Sequence, residues 1–149
     1  MADASDAFGT PDASGISGAS RSRDKVVVVV IENDQELQLL YKIRLERNGF
    51  SVFTANDGLE GLKLIERYRP TIILMDLWLP LLNGPQLLVK LRAEDWGSEP
   101  RVIVLTNISK DEAPPTLRFL RVDRYVVKTH QTPDQVVGVV QEVLDSQHS

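Results

Sequence analysis

Four places in this sequence carry residue types that could do chemistry together: the triplet Glu32-Asn33-Asp34, then Asp76, Thr106 and Lys128. Glu32, Asp34 and Asp76 would supply hard oxygen donors of the kind that bind Mg²⁺. Lys128 and Thr106 offer a point charge and a hydroxyl donor to an anion arriving with such a cation. A carboxylate that touches the metal and also faces Lys128 could attack phosphorus and form an acyl phosphate. Taken singly, each residue has a plainer reading, and Asp76 with Lys128 is equally a salt bridge capping a sheet. The two readings part on whether the fold brings all of these groups to one cleft.

The pattern of elements predicts that it does. Val26 to Ile31 is a β-branched run without polar alternation, as expected of a strand buried on both faces. Leu37, Leu40, Tyr41 and Leu45 follow helical spacing, and Asn48-Gly49 supplies a stop. Phe50 to Thr54 reads as a short strand, and Asn56-Asp57 caps a helix with Leu59, Leu62 and Ile65 on one stripe. Ile72 to Met75, Val102 to Leu105 and Tyr125 to Val127 read as further strands. Gly84-Pro85 opens a helix, and Thr132-Pro133-Asp134 opens the last one. Strands alternating with helical segments imply an α/β fold, a flavodoxin-like doubly wound sheet of five parallel strands in the order 2-1-3-4-5, with helices on both faces. In that order Glu32, Asp76, Thr106 and Lys128 lie just past adjacent strands, where such sheets bind ligands.

Composition narrows the alternatives. The 149 residues suit one domain, and 42% hydrophobic with 26% charged residues is a globular balance. Cysteine is absent, which excludes disulfides and thiolate sites, and only His130 and His148 could supply imidazole. Residues 1–24 hold five Ala, five Ser and three Gly and read as a flexible N-terminal tail, leaving 25–149 as the domain. A net charge of −4 without a basic run argues against direct nucleic-acid binding. No apolar run approaches a membrane span and no signal peptide is visible, so a cytoplasmic location is expected. Trp78 stands where an Asp-x-Asp phosphatase needs its second carboxylate, and no phosphate-binding loop follows the first strand, which disfavours NTPase and flavin readings.

Residues 25–149 resemble the receiver domain of two-component response regulators. The run from Asp76 through Pro80 to Gly84 fits that family's pattern of Asp, three residues, Pro, three residues, Gly. The spacing of Asp76, Thr106 and Lys128 fits too, as does Tyr125 three residues before the lysine. The resemblance implies that Asp76 accepts a phosphoryl group from a sensor histidine kinase or phosphotransfer protein. It implies Mg²⁺ held by Glu32, Asn33, Asp76 and the backbone carbonyl of Trp78, with Asp34 a further candidate through water. Thr106 and Lys128 would bind phosphoryl oxygens, backbone N–H groups of Trp78 and Asn107 would complete the cradle, and Tyr125 would be the aromatic switch. Such a chain is a signalling domain, catalysing at most its own phosphorylation and dephosphorylation. With no output domain after residue 149, it is expected to stand alone and act on an unknown protein target.

Several positions depart from the family's pattern. Asn33 replaces an aspartate, removing a charge worth about 4 kcal/mol at 4 Å and an effective dielectric near 20, before desolvation. Thr129 replaces a proline that follows a cis bond, a geometry costing about 2.5–4 kcal/mol before other residues. Pro114-Pro115 predicts a short fourth helical segment starting near Ala113. Arg121-Val122 replaces a Gly-Ala pair, and Asn107 replaces a small residue. These departures motivate a second reading, a receiver-like docking module that works without phosphorylation.

Overall fold

The computed structural model describes residues 25–107 and 113–146. The tail expected over 1–24 and the C-terminal His148 lie outside the described residues. Five parallel strands, β1 (Val27–Ile31), β2 (Ser51–Ala55), β3 (Ile72–Asp76), β4 (Arg101–Thr106) and β5 (Arg124–Val127), form one sheet in the order β2-β1-β3-β4-β5. The valine run earns its central place: Val28 to Ile31 are fully buried between two layers of helices. Ile72 to Met75 and Val102 to Leu105 are equally buried.

Alternation along each strand sorts the core into two halves. Val28, Val30, Leu74, Ile103 and Val126 face one layer, built from α1 (Gln35–Arg47) and α4 (Pro133–Ser146). Val29, Ile31, Ile73, Met75 and Val104 face the other, built from α2 (Gly58–Tyr68) and α3 (Gly84–Arg92). Helix starts are chemically marked. Asp57 caps α2 by accepting from Glu60 N at 2.8 Å. Asn83 and Gln86 form a reciprocal capping box on α3, and Thr132 with Gln135 does the same before α4. The turn after α1 is closed by Gly49 at φ +92°, as the Asn48-Gly49 stop predicts.

The fourth helical segment departs most from the repeating pattern. Pro115–Phe119 is a five-residue 3₁₀ helix, so the described residues contain four α-helices rather than five. Pro114 and Pro115 bring no N–H to an i→i−4 ladder, and the bonds that form, Leu117 N to Pro114 O and Leu120 N to Leu117 O, span three residues. Among the described residues, no helix is long and apolar enough to cross a membrane.

Candidate functional site

The carboxyl ends of β1, β3, β4 and β5 meet as the strand order requires. Glu32 continues β1 by one residue, its N–H donating to Ala55 O at 3.0 Å, and its side chain is 1% exposed. Asp76 ends β3, Thr106 ends β4 within the core, and Lys128 follows β5 on a one-turn 3₁₀ helix, Lys128–His130. Lys128 Nζ lies 2.6 Å from Asp76 Oδ2 and 2.7 Å from Glu32 Oε1, bridging both carboxylates. Each carboxylate's second oxygen accepts a backbone N–H: Glu32 Oε2 from Asp34 at 3.0 Å, and Asp76 Oδ1 from Trp78 at 3.1 Å. With Thr129 in place of proline, Lys128 still reaches both acids.

Burial and pairing compete at this triad. Burial pushes the Glu32 carboxyl up, and its hydrogen bonds to Lys128 and the Asp34 N–H only partly offset the loss of water. Burial pulls Lys128 down, but its bonds to Asp76 and Glu32 outweigh that and leave it raised. Beneath them Tyr41 is buried, its phenol pushed up first by burial and then by the charges of Glu32, Asp76 and Asp34. A carboxyl raised on folding contributes stability while protonated, and loses it as pH climbs from the unfolded value of 4.5 through the folded one. We therefore expect Glu32→Gln to gain stability relative to the parent as pH rises through this window. Urea midpoints measured from pH 4 to 8 check this; a parent that gains on the variant would show that Lys128 outweighs burial.

The expected carboxylate trio is a pair. Asp34 is exposed, and its carboxylate accepts from Leu37 N at 3.2 Å as the N-cap of α1. The cap draws it away from Glu32 and Asp76, and no cluster of three acidic or imidazole side chains suited to a metal stands among the described residues. Asn33 is exposed at the rim. The donors that converge, two carboxylates with the Asn33 amide and Trp78 carbonyl nearby in sequence, are all hard oxygens, and each bonded carboxylate oxygen keeps a spare lone pair. That donor chemistry fits Mg²⁺. Trp78 is half exposed, its backbone N–H turned to Asp76. His130, one of the two possible imidazoles, is exposed.

Alternation puts Thr106 and Tyr125 on one face of the sheet, with Val102 and Val104. Tyr125 packs partly buried against the α2–α3 side of the core, and burial raises its phenol. Gln38 was not singled out by its sequence position alone. Its Nε2 lies 2.9 Å from each of Glu32 O, Ala55 O and Asn56 Oδ1, clasping the ends of β1 and β2. The available signal was a polar residue in register with Tyr41 and Leu45 on the inward stripe of α1.

Residues 28–141 match the family model of the response regulator receiver domain. The chain is 30% identical over 120 residues to the probable transcriptional regulator ycf27 of Porphyridium aerugineum, covering 80% of this chain and 48% of that protein. It is 36% identical over 67 residues to the alkaline phosphatase synthesis transcriptional regulatory protein PhoP of Bacillus subtilis, covering 45% and 28%. The chain thus spans about half, or less, of the length of these curated relatives. Among solved structures, a CheY-like response regulator receiver domain protein from Methanospirillum hungatei matches with a TM-score of 0.74 at 26% identity, covering 84% and 98%. The receiver domain of the Pseudomonas aeruginosa sensor histidine kinase PA1611, solved with a magnesium ion in its active-site cleft, matches at 0.69 and 22% identity, covering 82% and 99%. At that identity the likeness concerns the fold alone.

Proposed function

Since this chain belongs to the response regulator receiver domain family, a family of signalling domains in two-component systems, we propose that it accepts one phosphoryl group on Asp76 and signals by a change in protein binding. The observation that carries this reading is the posture of Asp76: at the mouth of the cleft, 9% exposed, with one oxygen on Lys128 and the other on the Trp78 N–H. The donor is the phosphohistidine of a sensor histidine kinase or phosphotransfer protein. An Asp76 oxygen forms a bond to phosphorus as the phosphorus–nitrogen bond breaks, and the electron pair leaves with the imidazole. Lys128 exchanges its Asp76 contact for the incoming phosphoryl oxygens, keeping its charge where negative charge gathers. The Trp78 N–H and the Thr106 hydroxyl donate to the same group, and Tyr125, on the same face as Thr106, follows the hydroxyl inward.

Glu32, Asn33, Asp76 and the Trp78 carbonyl would hold Mg²⁺, which when bound neutralises charge on the transferring group. The whole step takes place in the cytoplasm and requires no contact of this chain with nucleic acid or membrane. Asn33→Asp restores a full charge at an exposed rim position, where solvent screening reduces the Coulomb gain. It should tighten Mg²⁺ binding about tenfold. Quenching of Trp78 fluorescence by Mg²⁺ measures this, and an unchanged midpoint would take Asn33 out of the metal's reach.

The test of the reading is intact-mass spectrometry after incubation with acetyl phosphate and Mg²⁺, with beryllofluoride titration followed by Trp78 fluorescence alongside. Addition of a single phosphoryl group is expected. Silence in both assays across a wide Mg²⁺ range favours the second reading, a docking module independent of phosphorylation, which the loss of charge at Asn33 motivates.

A further inference from the structure

The opposite end of the sheet, where β4 and β5 begin, carries a second charged cleft, of about 280 Å³. Arg92, Arg101 and Arg121 line it, with one acidic residue, Asp123. Arg92 leaves the last turn of α3 and donates to the carbonyls of Gly97 at 2.7 Å, Leu120 at 2.9 Å, Pro100 at 3.0 Å and Arg121 at 2.6 Å. These bonds fix its position, yet among the described residues no carboxylate pairs with it. Burial first, and then the charge of Arg121 beside it, push Arg92 down against the opposing pull of Asp123. Asp123 is already taken, by Arg101 Nε at 2.7 Å and the Val102 N–H at 2.8 Å. Two positive charges are therefore left without a matching carboxylate in the cleft.

Arg121 makes this excess conspicuous. It is exposed, its side chain forms no hydrogen bond or ion pair among the described residues, and its backbone stands at φ +56°. That conformation strains any residue with a Cβ, and glycine would hold it freely. A guanidinium thus sits at a strained turn, beside another guanidinium, where the backbone itself favours glycine. Guanidinium forks match phosphate oxygens two at a time, and Arg101 and Arg121 both keep N–H groups unspent.

We propose that the cleft between Arg92, Arg101 and Arg121 binds the phosphate group of a small phosphorylated molecule. Its volume falls just under the range of roughly 300–1,000 Å³ typical of small-molecule sites, which suits a phosphomonoester with a compact body. Ser98 adds a hydroxyl to the lining, and Val122 an apolar wall. The bound group clamps the Gly97–Pro100 turn to the turn that enters β5. This site is separate from Asp76 and does not depend on the phosphoryl-accepting reading.

Titration of the full chain with glycerol phosphate, followed by amide NMR against a sodium chloride series of equal ionic strength, tests the proposal. Saturable shifts at Gly97, Ser98 and residues 121–123 are expected, with a dissociation constant on the order of 1 mM. Arg121→Gly relieves the backbone strain while removing the fork, and should weaken binding about tenfold or more, the loss of one charge-assisted contact. Arg121→Asn, whose side chain also tolerates the left-handed backbone, should do the same. Equal affinity in the parent and both variants overturns the proposal. So do shifts that merely track ionic strength, or shifts confined to Trp78, Thr106 and Lys128.

Discussion

Asp76→Asn is expected to take up no phosphoryl group under conditions that should modify the parent, and Asp76→Ala to behave alike. The expected loss exceeds a hundredfold, because an amide or a methyl cannot act as the nucleophile and the neighbouring carboxylate, Glu32, is buried and held by Lys128 and the Asp34 N–H. The two variants divide the chemistry from the fold. Asn keeps the volume of Asp and an oxygen for the Trp78 N–H, and both variants keep Glu32, which lies 2.7 Å from Lys128 in the parent. Neither variant strands Lys128 as a buried charge without a partner, the situation that makes truncating one side of a buried pair costly. Both should therefore melt cooperatively near the parent's temperature. Intact mass reads the first effect and thermal denaturation the second. A phosphoryl group on Asp76→Asn at the parental level would move the acceptor elsewhere, with the exposed Asp34 the first residue to test.

Gly58→Ala should be the most damaging of the conservative changes to the fold. A Cβ at position 58 would stand 1.7 Å from Leu82 O and 2.6 Å from Leu82 C, backbone atoms that cannot step aside as a side-chain tip would. The Gly58 N–H also donates to Pro80 O at 3.2 Å, so the start of α2 lies directly on the loop between β3 and α3. We expect a loss of about 3 kcal/mol or more, as for other severe overpacking, and a fall in Tm of roughly 10 °C for a domain of this size. The same loop holds Trp78 and, at φ +70°, Leu81. Whatever fraction folds should show a displaced Trp78 N–H and slowed phosphoryl uptake. Calorimetry with the mass assay separates the two losses, and a parental Tm would mean that the loop can retreat at little cost.

Much of this architecture was legible in the residues. Five parallel strands in the order β2-β1-β3-β4-β5 follow from uninterrupted β-branched runs and the helical stripes between them, because periodicity reports burial directly. Boundaries moved by a residue or so: β1 begins at Val27 rather than Val26, and Asp76 closes β3 rather than following it. The proline pair announced a short fourth helical segment, since a missing N–H is a local property; that the segment closes as 3₁₀ and is followed, after Leu120, by Arg121 at positive φ was not local.

The site divides along the same line. By itself the sequence determined which groups arrive at the mouth of the sheet, because topology carries each strand end to the same place whatever the side chains do next. Only the tertiary structure decided how they pair. Asp34 turns to the nearest unsatisfied N–H groups and caps α1, whereas Lys128 enters from a distant strand and lies between Glu32 and Asp76. Arg92 spends itself on four carbonyls from two turns, and the exposed Arg121 beside it has no side-chain partner among the described residues. Periodicity is set by near neighbours and can be read along the chain. The partners of a buried charge are settled by whichever oppositely charged or polar groups the closed core leaves within about 3 Å, and those come together only when the chain has folded.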